Sequence, residues 1–180
     1  SLVPELWRSL AADLGLAGLL VPEDLGGGGA SAREAAVVLE ELGRFVAPVP
    51  FLTSSVVATA SLLSSGDDAL IGRLASGEQA AALVVPFSAS AVSFAATVRV
   101  DGGTLRGGGT SVAGALEADV LLVPVATNTG GELHLVDAPA VRVERVVSLA
   151  RARPPADLPT PSVAPRGVRP PGPASGSLGA

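Results

Sequence analysis

The chain has 180 residues, enough for one large domain or two small ones, with a net charge of −5 and 48% hydrophobic residues. Mean hydropathy is +0.50, and much of the apolar content is Ala and Val, so a packed core would be built from small side chains. Aromatics are only 3% and the acidic balance is the reverse of a nucleic-acid reader's, so nucleic acid is excluded as the expected partner. Cysteine is absent, which removes disulfides, thiol catalysis and Cys-ligated zinc. All twelve basic residues are arginine, and lysine, methionine and tyrosine are missing, which reads as the bias of a G/C-rich bacterial genome rather than as function. No run of eighteen apolar residues is present, so no transmembrane helix is predicted. No basic segment followed by an apolar core marks a signal peptide, and a cytoplasmic protein is the expectation.

In chain order, the first half reads as helices. Leu6, Leu10 and Leu14 recur at helical spacing with Trp7 beside them, and Gly15 is a stop. Ser31 with Glu34 three residues on makes a capping box, followed by the stripe Ala35, Val38, Leu39 and Leu42 and an end at Gly43. Pro48 and Pro50 enforce an extended connector. Thr53 to Leu63 reads as a third helix. Asp67 or Asp68 caps a fourth, with Leu70, Ile71 and Leu74 facing inward, and Gly77 closes it.

The period changes after Gly77. Ala81 to Pro86 is a short apolar run, and Val92 to Asp101 alternates as a half-buried strand. The "DGG" at 101–103 predicts a hairpin into Thr104–Val112. Val120 to Ala126 is a further strand, turned by "NTGG" at 128–131 into Glu132–Asp137, and Val141 to Val147 follows. Helices first and strands afterwards predict an α+β fold, an all-helical N-terminal domain and then an antiparallel β-barrel-like middle domain. The expected boundaries are 1–79 helical, 80–153 β, and a disordered proline-rich tail at 154–180 with eight prolines.

Local chemistry is sparse. The run "VPEDLGGGGAS", Val21 to Ser31, has neither the lysine of a P-loop nor the strand before a Rossmann turn, and Glu23 and Asp24 would repel a phosphate, so it reads as a flexible helix–helix connector. His134, the sole histidine, alternates with Leu133 and Leu135 and is expected to face solvent, and a lone histidine makes neither a triad nor a metal site. Glu40 and Glu41 are adjacent on a helix and point apart. The "GGG" at 107–109 marks either a bulge or close backbone approach, or compositional drift.

What the local motifs leave open, the long pattern addresses. "LWRSLAADLGLAGLLVPEDLGGGGASAREAAVVLEELGR", Leu6 to Arg44, resembles the N-terminal helical region of the acyl-CoA dehydrogenase family. "APVPFLTSS" at Ala47–Ser55, "LASGEQAAALV" at Leu74–Val84, "TLRGGGTSVAGALEADVLLVPV" at Thr104–Val125 and "GELHLVD" at 131–137 continue the likeness, more loosely, into the family's middle β domain. The resemblance implies oxidation of an acyl-CoA thioester to the enoyl-CoA with FAD, in an oligomer. It also places the catalytic base in a C-terminal helical bundle that has no counterpart here, so no catalytic residue is assigned. Where the family often carries "T-E-P-G-x-G-S-D" beside the flavin, this chain has "VPFSAS", Val85 to Ser90. Ser88 and Ser90 there, and Ser111 of "TSVAG", are the hydroxyls that the resemblance implies for FAD. No metal is expected. The alternative is a non-catalytic subunit of a heteromeric acyl-CoA dehydrogenase. The apolar faces left by the missing bundle predict self-association or instability of the isolated chain.

Overall fold

A computed structural model describes residues 2–90, 96–128, 130–148, 154–159 and 163–169. Helix α1, Leu2–Arg8, runs on through a π-helical stretch, Ser9–Asp13. That stretch changes the face. Wider π turns spoil the i, i+4 stacking of the predicted stripe, so Leu6 is 40% and Leu14 66% exposed, while Trp7, Leu10 and the buried Ala11 turn inward. The expected Leu6–Leu10–Leu14 face is therefore corrected to Trp7–Leu10–Ala11.

Helix α2, Ala32–Arg44, begins at the capping box read from the sequence. Ser31 Oγ accepts the Arg33 N–H at 3.2 Å, and the Ser31 N–H reaches Glu34 Oε2 at 2.8 Å. A π-helical segment, Phe51–Ala58, starts directly after Pro50 and continues as α3, Thr59–Leu63. The predicted third helix is thus present, two residues longer at its start. Asp67 caps α4, Asp68–Ala75, by accepting the Leu70 N–H, and Leu70, Ile71 and Leu74 are buried as expected.

The β half is built on one sheet with strand order β1–β5–β6–β9: β1 Ala81–Leu83, β5 Val120–Thr127, β6 Gly130–Asp137 and β9 Gly167–Arg169. The β1–β5 pair is parallel and the others are antiparallel. The β5–β6 hairpin turns at the predicted site, with Thr127 paired to Gly130. β2, Arg99–Asp101, pairs with β3, Thr104–Arg106, around Gly102 and Gly103, whose φ of 58° and 78° suit the "DGG" turn. The start of the predicted Val92–Asp101 strand lies outside the described residues. A third sheet has the order β4–β8–β7: β4 Gly109–Val112, β8 Ala156–Leu158 and β7 Glu144–Arg145. The expected Val141–Val147 strand is reduced to β7, with Val141 and Val143 packed on the β core from the approach to it. Among the described residues the ladders make three sheets rather than one closed barrel.

β5 carries two cores. Val120 and Leu122 face the helices with Leu62, Leu70, Ile71 and Leu74. Leu121, Val123 and Val125 face the β core with Val84, Val98, Leu105 and Val112. Both faces are covered, which is why the strand reads as a continuous apolar run rather than as an alternation.

The largest departure is at the C-terminal end. The segment expected to be disordered supplies β8 and β9, with Ala156 and Leu158 buried in the β core. Arg166 Nη1 donates to Asp137 Oδ1 at 2.6 Å, and its backbone N–H to the Leu135 carbonyl. Among the described residues, the prolines at 154, 155, 159 and 165 flank these strands without entering them, so neither strand loses a ladder donor. Residues 170–180 lie outside the described part of the chain.

The capping box has a consequence for pH. The Ser31 hydroxyl, and then backbone N–H groups, hold the Glu34 carboxyl below its ordinary value of 4.5. A lowered folded pKa means that the carboxylate supports folding above the ordinary value and loses that support as pH falls through the lowered one. Thermal unfolding of Glu34→Gln against the parent chain should show a deficit at pH 7 that shrinks at pH 3. A deficit constant across that range would refute the assignment.

Candidate functional site

The glycine-rich stretch is not a ligand cradle. Its N–H groups are consumed by its own preceding turn: Gly27 N–H goes to Pro22, Gly28 to Gly18, Gly29 to Val21 and Ala30 to Leu19, all carbonyls at 2.8–3.0 Å. A Cβ on Gly27 would run into the Val21 carbonyl, so this position needs glycine for close approach. The connector joins two helical stretches as expected, but it is tied down rather than flexible.

His134 is buried, against the expectation that it faces solvent. It lies on the β-core face of β6 with Glu132 and Val136, opposite Val123 of β5. Its Nε2 is 2.9 Å from Glu132 Oε2, while Nδ1 is buried without a hydrogen-bond partner. The alternation was read correctly. The face assignment failed because β6 is covered on both sides, Leu133 and Leu135 packing against the helices. Among the described residues no cluster of His, Cys, Asp or Glu fits a metal ion. Replacing both partners of a buried polar pair by apolar groups is close to neutral or stabilising, so the melting temperature of the double variant Glu132→Leu/His134→Leu should equal or exceed that of the parent chain, while His134→Leu alone, which strands Glu132, should lie below the double variant. A fall of several degrees in the double variant would show that Nδ1 also has a partner.

The predicted serines lead elsewhere. After β1 the chain runs through Val85–Ser90, the segment that stands where the family motif would be. Pro86 bridges to Val112, and the Phe87 N–H donates to the Ser111 carbonyl at 3.0 Å. Ser88 and Ser90 are exposed on this loop, and Ser111 is half-buried on β4. The structure therefore brings the loop of Ser88 and Ser90 against Ser111. Between them and the helical half lies a recess of about 220 Å³. Leu52, Thr53 and Val57 line it from the helical side, Leu83, Val85, Pro86, Phe87 and Ala89 from β1 and its loop, and Ala113 from the end of β4.

Ser111 is the irregular point of this site. Gly109 pairs with Leu158 and Val112 with Ala156, so Thr110 and Ser111 together oppose Asp157. This is a β-bulge, one step beyond the "GGG". Ser111 sits at φ 52°, a left-handed conformation uncommon outside glycine. Its N–H donates to Asp157 Oδ1 at 2.7 Å. Sequence reasoning missed Asp157 because it lies in the segment read as disordered. The glycines of "GGG" serve packing: a Cβ on Gly107 would strike the Thr97 carbonyl, and one on Gly109 would crowd Val84 and Val112. Neither the recess nor a larger cleft of about 450 Å³, lined among others by Trp7, Glu78, Glu117 and Arg145, has Ser88, Ser90 or Ser111 in its lining; the recess is the one that the Val85–Ser90 loop borders.

The arrangement is a helical unit whose π segment and a β unit whose bulged strand share one apolar recess. Comparison with known proteins gives that class its family. Residues 2–78 match the model of the acyl-CoA dehydrogenase N-terminal domain. The acyl-CoA dehydrogenase IpdE2 of Mycolicibacterium smegmatis is 42% identical over 81 residues, covering 45% of this chain and 26% of the relative. The acyl-CoA dehydrogenase FadE27 of Mycobacterium tuberculosis is 34% identical over 138 residues, covering 74% of this chain and 37% of the relative. Among solved structures, the ChsE4–ChsE5 complex of Mycobacterium tuberculosis matches with a TM-score of 0.74 at 30% identity, over 93% of this chain and 48% of that one. The steroid acyl-CoA dehydrogenase Tcur3481–Tcur3483 matches with a TM-score of 0.75 at 31% identity and the same coverages. Residues 2–78 are thus of the acyl-CoA dehydrogenase N-terminal type, and the chain is similar in fold to the N-terminal helical and middle β portions of that family. It spans about half the length of these structures.

The recess depends on Gly114, at φ 79°, where a Cβ would come within 2.5 Å of Thr53 Oγ1. Gly114→Ala should cost about 2 kcal/mol in urea unfolding, from the strained φ and the displaced Thr53 together. An unchanged midpoint would show that the β unit and the π segment adjust freely at this joint.

Proposed function

We propose that this chain is the helical and middle β part of a flavin-dependent acyl-CoA dehydrogenase, contributing one wall of the site in which an acyl-CoA thioester is oxidised to the enoyl-CoA. The observation that carries the reading is the recess lined by Leu52, Thr53 and Val57 of the Phe51–Ala58 segment, by Val85, Pro86, Phe87 and Ala89, and by Ala113 just past the bulge, with Ser88, Ser90 and Ser111 on the adjoining loop and strand rather than in the lining. Its aliphatic walls suit the face of a flat ring or an acyl chain, and the hydroxyls of Ser88, Ser90 and Ser111 are the side chains proposed to hold a flavin's polar edge. No arginine lines the recess, so a dinucleotide's phosphates would rely on groups outside it. Bound FAD would supply hydride acceptance. The part of this chain would be to exclude water and orient the ring. No glutamate here is assigned as base, and the proton-abstracting group would come from elsewhere in the assembly.

A second reading has a specific observation in its favour. Two of the similar solved structures, at 30% and 31% identity, carry paired names, ChsE4–ChsE5 and Tcur3481–Tcur3483, the first of them described as a complex. On that reading this chain is a subunit that pairs with a second acyl-CoA dehydrogenase polypeptide and contributes contacts rather than chemistry. The 74% exposure of Phe87 beside the recess suits either arrangement, since a large ring left in water marks a surface to be covered.

Mixing the purified chain with FAD, desalting it and recording the visible spectrum tests both. Flavin retained by the chain alone is the result expected of the first reading. No flavin on the chain alone, with more flavin in a mixture than an added full-length homologue retains by itself, selects the second, and no flavin on the chain with no gain in the mixture overturns the flavoprotein reading.

A further inference from the structure

We infer that Asp157 is a positioning residue for the recess, holding the Ser111 bulge and, through it, the Phe87 rim in place. The inference rests on the recess being the ligand-facing wall, and three observations outside that reading support it. First, Ser111 adopts a left-handed backbone that costs a non-glycine residue energy and persists only where the surroundings impose it. Second, the Asp157 carboxylate takes the Ser111 N–H at 2.7 Å, the donor that the two-against-one pairing of the bulge leaves without a ladder carbonyl. A carboxylate acceptor makes this a charge-assisted bond, stronger than the amide bonds around it. Third, the Ser111 carbonyl accepts the Phe87 N–H at 3.0 Å, so the residue pinned by Asp157 is the one that pins the loop. Asp157 itself is not among the residues that line the recess. It acts from the neighbouring strand, and what it fixes is where the apolar rim stands against the flat or acyl group of a ligand.

Hydrogen exchange on the full chain tests this without any ligand. The amides of Ser111 and Phe87 report the relay, and the Val146 amide, bonded to the Pro155 carbonyl beside the same strand, is the reference. Asp157→Ala should speed exchange at Ser111 and Phe87 by about tenfold or more over Val146, the effect of losing one bond to a charged group. Asp157→Asn, which keeps an acceptor oxygen, should restore most of the protection. Leu158→Ala removes a buried side chain from the same strand and should loosen all three amides together. An Asp157→Ala pattern like that of Leu158→Ala, or protection unchanged at Phe87, would overturn the inference. If the alanine variant does not fold, Asp157→Glu moves the carboxylate by one methylene. The amide chemical shifts of Ser111 and Phe87 must then move together, and an unmoved Phe87 overturns the relay. FAD titration of the same variants reads the site separately. Weaker binding in Asp157→Ala with recovery in Asp157→Asn is expected. A parent chain that takes no FAD removes the flavin reading while the exchange pattern still decides the role of Asp157.

Discussion

β5 is buried on both faces and meets that constraint with aliphatic side chains from Val120 to Val123, and the rest of this molecule is arranged around it. Its even positions, Val120 and Leu122, complete the core under the helices, and its odd positions, Leu121, Val123 and Val125, complete the core of the β unit. One strand thus joins two units that a reading by domains would separate at residue 79. The joint is reinforced by polar contacts at the same place. Ser54 Oγ of the π segment accepts the Ala81 N–H, Asp119 Oδ2 accepts the Ala80 N–H, and the Asp119 N–H returns to the Ala80 carbonyl. Such reciprocal bonds fix the start of β1 against β5, and β1 in turn aims the Val85–Ser90 loop at the bulge. The recess is the space left where these restraints converge.

Much of the helical half was legible because its signals are local. The Ser31–Glu34 box, the Asp67 cap and the inward residues of α4 rest on spacings of three and four within one element. The exception, the face of the first helix, failed for a local reason too, since a π stretch at Ser9–Asp13 leaves no mark in a pattern scored at 3.6 residues per turn. The hairpins at Gly102–Gly103 and after Thr127 were legible for the same cause, because turn chemistry is short-range.

What the sequence concealed is what depends on distant partners. The burial of His134 follows from the β core packed on that face of β6, with Leu105, Val112, Ala156 and Leu158 from the small sheets, and nothing in "GELHLVD" shows that cover. β8 and β9 are three-residue strands between prolines, too short to show a period, and they exist because β4 and β6 offer edges to pair with. The site divides along the same line. Ser88, Ser90 and Ser111 were identified through resemblance, and the structure joins their segments. Asp157 was out of reach, since its role is a bond to a residue 46 positions away.

The late strands also bear on how the chain is made. β6 ends at Asp137 and β9 begins at Gly167, so about thirty residues must be added before the outer edge of β6 finds its partner. At ordinary rates of synthesis that interval lasts on the order of seconds. During it, the nascent β5–β6 hairpin presents an open edge and a strand of continuous aliphatic side chains to the cell. When the middle of that edge, Leu133–Leu135, becomes covered is therefore set by the proline-rich segment that supplies β9.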